Sequence, residues 1–233
     1  MTFEDFVTNS QAILASFPNE QVWVQGGFIP NCQLQKPEAG YCVVFRYDAK
    51  TIHAISRFMA RIQGILPPVV EYNERSFHTT IGVHGKGDLQ GFVPDLAVIK
   101  YLAKSIEKGL LDCPKNPYVE FGQWVYNHEA ILLSGYPNQD LWRLSQNIKN
   151  ACKENGVPIE MGRIIHITTA RFISGVSRQV FKQFVLEMKS APALGNIRPG
   201  AIELATWHCD GLTFDIVTHK HYPLSRAMRT VQE

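Results

Sequence analysis

The sequence predicts an α+β fold: two pseudo-symmetric lobes built from a duplicated strand–helix–strand unit, with antiparallel sheets lining a central cleft. Three observations carry this expectation. Runs of β-formers alternate with runs of helical period along the 233 residues. The order strand, helix, strand occurs twice. The last strand of each copy shares a pattern, Ser76-Phe77-His78-Thr79-Thr80-Ile81-Gly82-Val83 being echoed by Arg163-Ile164-Ile165-His166-Ile167-Thr168-Thr169-Ala170-Arg171-Phe172. The copies also match in length. Tyr47 precedes His78 by 31 positions, and Tyr136 precedes His166 by 30.

Taken in order, Thr2 to Phe17 reads as an amphipathic helix. Thr2 caps it, Asp5 stands at the capping-box distance, and Phe3, Phe6, Ile13 and Phe17 share a side. Pro18 ends it. Gln21 to Gln25 reads as a short strand, and Gly26-Gly27, Pro30 and Pro37 mark a long loop. Tyr41 to Tyr47 is a strand. Ala49 to Gln63 is a helix with Ile52, Ile55, Phe58, Met59 and Ile62 at helical spacing and Gly64 at its stop. Pro67-Pro68 breaks the chain before the first histidine strand, about 76–83. Gly85-Lys86-Gly87-Asp88 reads as a turn, without the full phosphate-loop pattern.

Asp95 to Lys108 is a helix with Leu96, Ile99, Leu102 and Ile106 inward, ended by Gly109. Tyr118 to Tyr126 and Glu129 to Tyr136 pair around Asn127-His128. Asn138 caps a helix to about Asn155, with Leu141, Leu144, Ile148 and Cys152 towards the core. After the second histidine strand, about 163–172, Ser177 caps a helix carrying Val180, Phe181, Phe184, Val185 and Met188 on one face. Ala201 to His208 and Thr213 to His221 close as a hairpin around Cys209-Asp210-Gly211. The expected organisation is one domain over 1–233. The first-motif lobe spans about 41–110, the second about 118–221, and 1–40 form an N-terminal extension.

The composition, 45% hydrophobic and 19% charged, is that of an ordinary globular chain. A net charge of +2 excludes holding nucleic acid by bulk charge alone. No apolar run approaches the ~18 residues that span a bilayer, and no basic-then-apolar leader opens the chain. Cytoplasmic location and no membrane partner are expected. The five cysteines, Cys32, Cys42, Cys113, Cys152 and Cys209, form no CxxC pair, which argues against a disulfide framework or structural zinc.

The chemistry rests on the paired histidines. Alternate strand residues share a face, so His78 projects with Thr80 and His166 with Thr168. Two imidazoles with pKa values near ~6.5 can divide a proton between them, one acting as base and one as acid. A hydroxyl beside each can hold a phosphate oxygen. A single strand histidine is more often a buried imidazole, but two in matched register favour function. Thr79 and Thr169 belong to the opposite face and read as structural. Strict alternation puts Arg171 there too, leaving it a phosphate role or a salt bridge. His84 shares the His78 face if that strand continues, and reads better as a strand-end surface residue. His219 and His221 share a strand face but lack a third metal ligand in sequence. Tyr41, Phe45, Tyr47, Trp124, Tyr126, Phe172 and Trp207 include candidates for stacking on a base.

This pattern resembles the two-histidine (2H) phosphoesterase superfamily, in particular its LigT-like branch of RNA 2′-5′ ligases and cyclic phosphodiesterases. His78-Thr79-Thr80-Ile81 and His166-Ile167-Thr168 match the two His-x-Thr motifs. Gly85 and Arg171 stand where members often carry glycine and arginine. Thr169 departs from the usual apolar residue, and the segment 1–40 and the closing hairpin are not covered. The resemblance implies His78 and His166 as catalytic acid and base, and Thr80, Thr168 and Arg171 as substrate-binding. It implies a 2′,3′-cyclic phosphate on an RNA end or nucleotide as substrate, 2′-5′ ligation as the reverse reaction, no metal, no other cofactor, and a monomer. A non-catalytic nucleotide- or RNA-binding module on the same scaffold is the alternative.

Overall fold

The structure, a computed structural model, describes residues 1–17 and 37–224. The expected strand Gln21 to Gln25, most of the loop after it, and Cys32 lie outside the described residues. Helix α1 (Phe3–Ala15) has the expected Thr2–Asp5 capping box. Its buried stripe is Phe6, Ser10 and Leu14 rather than the Phe3–Ile13 side. Phe6 packs on Trp142, ring centroids 4.5 Å apart, and Ser10 donates to the Arg163 carbonyl at 3.0 Å. The N-terminal helix is thus a layer on the second lobe.

The chain continues as β1 (Glu38–Arg46), α2 (Ala49–Gln63), β2 (Val69–Tyr72), β3 (Thr79–Asp88), α3 (Leu96–Leu110), β4 (Val119–Tyr126), β5 (Ala130–Pro137), α4 (Gln139–Glu154), β6 (Ile165–Phe172), α5 (Arg178–Met188), β7 (Gly195–Ile197), β8 (Ala201–Cys209) and β9 (Thr213–Pro223). Strands β2 and β7 escape a reading by pattern because four and three residues show no alternation. The predicted turn at 85–88 is instead the bulged end of β3. Ala39 pairs with Gly87 and Tyr41 with His84, and Gly85 takes the left-handed φ of 60° at the irregularity. Gly109 does not stop α3. It lies inside the helix, where a Cβ would stand 2.7 Å from Ile148 Cγ1, so its small size lets α3 approach α4.

The nine strands run in the order β2-β9-β8-β1-β3-β6-β5-β4-β7, and β2 also pairs with β6. That second pairing closes β2, β9, β8, β1, β3 and β6 into a ring. The two histidine strands meet at one register pair, Thr79 opposite Ile167. Beyond it they diverge. The freed edge of β6 is taken by β2, with Val70 opposite Arg171. The freed edge of β3 is taken by the segment before β6, through two backbone hydrogen bonds between Val83 and Glu160.

The duplication is registered to the residue. An offset of 88 positions converts the β1–β3 ladder into the β5–β6 ladder: Val43–Gly82 becomes Ile131–Ala170, and Val44–Thr80 becomes Leu132–Thr168. By this offset Tyr47 corresponds to Gly135, so the sequence alignment of Tyr47 with Tyr136 is one residue out. The helices are exchanged between copies. Arg61 of α2 bridges Glu187 of α5 at 2.8 Å, while Lys108 of α3 bridges Glu154 at the end of α4 at 2.6 Å. Each pair joins one helix from each copy.

Candidate active site

A cavity of about 280 Å³ opens inside the six-stranded ring, and every ring strand lines it. His78, Thr80, His166, Thr168 and Arg171 all face it. His78 is the last residue before β3, so the strand starts three positions later than the expected 76.

Two bulges explain how these groups come together. Val43 pairs with Gly82 and Val44 with Thr80, so Ile81 is the extra residue of β3. Ile131 pairs with Ala170 and Leu132 with Thr168, so Thr169 is the extra residue of β6. A bulge inverts the alternation beyond it. Arg171 therefore joins His166 and Thr168 on the cavity face, contrary to strict alternation. Val83, its counterpart in β3, lines the cavity as well. His84 is turned to the other face, where its Nδ1 meets the Pro158 carbonyl at 2.7 Å. Thr79 and Thr169 are buried. Thr79 accepts from the Tyr47 hydroxyl at 2.8 Å, and Thr169 donates to the Ile131 carbonyl at 3.0 Å.

The imidazoles are set alike. His78 Nδ1 lies 2.5 Å from the Ser76 carbonyl, and His166 Nδ1 lies 3.4 Å from the Ile164 carbonyl. A carbonyl only accepts, so Nδ1 carries the proton and Nε2 is the titrating atom. His78 Nε2 is 3.1 Å from the Thr80 hydroxyl. Burial drives both imidazoles down to about 4. The positive charge of Arg46 adds to this at His78, and that of Arg171 adds to it at His166. At such values both rings are neutral near pH 7.

Arg171 donates from Nε to the Tyr72 hydroxyl at 2.7 Å. Among the described residues no carboxylate pairs with it, which leaves its outer edge for an anion. Lys86, at the rim, is engaged by Glu38 at 2.7 Å. The other wall is aromatic. Phe214 stacks on Tyr72 (4.7 Å), on His78 (5.9 Å) and on Trp207 (5.9 Å). Of the aromatics singled out in the sequence, only Trp207 lines the cavity. Tyr72 and Phe214 were missed; the parallel pairing of β2 with β9 sets them opposite each other. Cys42 lines the cavity too, and burial pushes its thiol up to about 12.

His219 and His221 do not share a face. His219 is the extra residue of a further bulge, between the pairs Leu204–Lys220 and Ala205–Thr218. Its Nε2 meets Thr206 at 3.1 Å, while His221 Nδ1 meets Glu203 at 3.0 Å. Among the described residues no cluster of three or more His, Cys, Asp or Glu could hold a metal ion. Nor is any described helix long and apolar enough to cross a membrane.

No protein-family model matches the sequence, and no curated protein matches it. Solved structures do match in shape. TT0787 of Thermus thermophilus aligns with a TM-score of 0.56 at 13% identity, over 79% of this chain and 97% of its own. Escherichia coli LigT in complex with NADP+ aligns at 0.54 and 16% identity, over 82% and 99%. The fold is that of a LigT-like 2H phosphoesterase. ATU0111 from Agrobacterium tumefaciens, described as a conserved protein of unknown function, aligns with this chain at 0.54 and 15% identity, over 78% and 85%. Structures of LigT also exist with 3′-AMP and with ATP.

Proposed function

We propose that the chain is a metal-independent 2H phosphoesterase that opens a 2′,3′-cyclic phosphate on an RNA end or a nucleotide. The observation that carries this reading is that two histidines, two threonines and one arginine line a single cavity. One neutral imidazole takes a proton from water as the water oxygen attacks phosphorus. The other, as imidazolium, gives a proton to the departing ribose oxygen. Each transfer contributes about 10²–10⁴-fold. Thr80, Thr168 and Arg171 hold the non-bridging oxygens as charge builds on them. With a 5′-hydroxyl in place of the attacking water, the same ring opening joins RNA ends through a 2′-5′ bond as the 3′-oxygen leaves and takes the proton. The nucleotides held by LigT support a nucleotide-sized ligand here.

Binding without turnover is favoured by one observation, the two neutral imidazoles lining the cavity. The substrate answers it. A phosphodiester anion beside the rings raises an imidazole pKa and supplies the missing acid. The deciding experiment is hydrolysis of a nucleoside 2′,3′-cyclic phosphate in excess chelator by wild type, His78→Ala and His166→Ala. Activity that survives chelation and is lost in both variants supports the proposal. Tight binding of the cyclic phosphate with no product supports the binding module.

A further inference from the structure

We infer that Arg46 is the positioning residue for His78, and that Glu203 holds its guanidinium in place; the inference rests on the acid/base reading of His78. His78 lies outside the ladder, at the end of the loop 73–78, so something other than strand pairing must fix its ring. Arg46, the last residue of β1, reaches that loop. Its Nη1 donates to the Arg75 carbonyl at 2.5 Å and to the Phe77 carbonyl at 3.2 Å. Its Nε donates to Glu203 Oε2 at 2.7 Å. Between the two clamped carbonyls stands Ser76, whose own carbonyl takes His78 Nδ1. The Ser76 hydroxyl ties the same loop to the Phe214 carbonyl at 2.9 Å.

Glu203 is itself anchored. Thr218 donates to its Oε2 at 2.9 Å, and His221 Nδ1 lies 3.0 Å from its Oε1. The Arg46 and Glu203 side chains are only 15% and 13% exposed. A pair so buried is a poor stabiliser, because desolvation offsets the Coulomb gain. A planar guanidinium with donors in fixed directions is well suited to orienting a loop.

The duplication provides an internal control. The offset of 88 carries Arg46 onto Ser134, whose hydroxyl donates to the Gln123 carbonyl instead. It carries Ser76 onto Ile164. Where the clamp exists the Nδ1–carbonyl distance is 2.5 Å, and where it is missing the distance is 3.4 Å.

The test combines histidine-selective ¹⁵N NMR with cyclic phosphate turnover in wild type, Arg46→Met, Arg46→Lys and Glu203→Gln. His78 is expected as a single Nδ1–H tautomer in wild type. In Arg46→Met it becomes a tautomer mixture, with His166 signals unchanged, and kcat falls about 10–100-fold at nearly constant KM. Lysine, which keeps the charge but cannot span both carbonyls and the carboxylate, restores only part of both. An unchanged His78 tautomer in folded Arg46→Met overturns the inference. If that variant does not fold, Glu203→Gln decides on the same signals, an unchanged tautomer again overturning it. A tautomer shift in a protein without turnover supports the clamp and counts against the phosphoesterase activity instead.

Discussion

Thr79 on β3 stands directly opposite Ile167 on β6, and the offset of 88 carries one onto the other. The pair therefore lies on the pseudo-twofold axis of the molecule. On either side of it the strands diverge, and His78, Thr80, His166 and Thr168 all line the cavity. His78 Nε2 meets the hydroxyl of Thr80 on its own strand at 3.1 Å. Both axial residues point away from the cavity into the core, where Thr79 is 1% exposed and Ile167 fully buried.

The axial contact should matter to stability more than to chemistry. Tyr47→Phe removes the donor to Thr79 Oγ1 without opening a cavity. The expected cost is about 1 kcal/mol, or a melting temperature lower by roughly 2–4 °C. Thermal unfolding beside phosphate binding checks it. A loss of phosphate binding at unchanged Tm would show instead that Tyr47 acts on the cavity.

Acid should destabilise the protein through its two cavity imidazoles. Both have folded pKa values near 4, below the ordinary value of 6.5. Between those values the unfolded chain binds more protons than the native one, so stability rises with pH in this window and is lost on acidification. Each ring contributes at most about 3 kcal/mol. Denaturant titrations from pH 7 to 4 should show the fall, and His78→Gln and His166→Gln should each flatten it. A wild-type curve flat across that window would contradict the burial of both rings.

Arg171 presents a guanidinium edge to the cavity with no carboxylate partner among the described residues. Arg171→Met should weaken inorganic phosphate binding about 10–100-fold, as expected for one charge-assisted bidentate contact. It should also raise the His166 pKa, because a neighbouring positive charge is removed. Phosphate titration followed at the His166 ring reads both effects in one experiment. Unaltered phosphate affinity would leave Arg171 only its bond to Tyr72.

The His-x-Thr pairs, the helix caps and most element boundaries were legible in sequence because they depend on local period and local chemistry. What was not legible depends on pairing. Nothing in Thr80-Ile81-Gly82 or Thr168-Thr169-Ala170 announces a bulge, yet those two extra residues decide that Arg171 faces the cavity and His84 does not. The same holds for His219. Strand β2 is four residues long and exists because β6 and β9 offer edges to it, which only the assembled sheet reveals. Phe214 stayed hidden for a related reason: its place beside His78 comes from the parallel pairing of β9 with β2.

Phe214 separates two ways in which the aromatic wall can serve a nucleotide. Its ring touches Tyr72, His78 and Trp207, while its carbonyl accepts from Ser76. Phe214→Leu removes the ring contacts and keeps the backbone bond, so the loop before His78 remains tethered. Stability should fall by about 1–2 kcal/mol, the cost of an imperfect apolar replacement with lost ring contacts. If the wall carries the base, affinity for a nucleoside monophosphate should fall about tenfold, the effect of one lost stacking contact. Inorganic phosphate, held on the Arg171 side, should bind as before. Calorimetric titration with both ligands distinguishes the cases. Equal losses for the two would mean that Phe214 acts by steadying His78, and the base would then have to lie outside the ring.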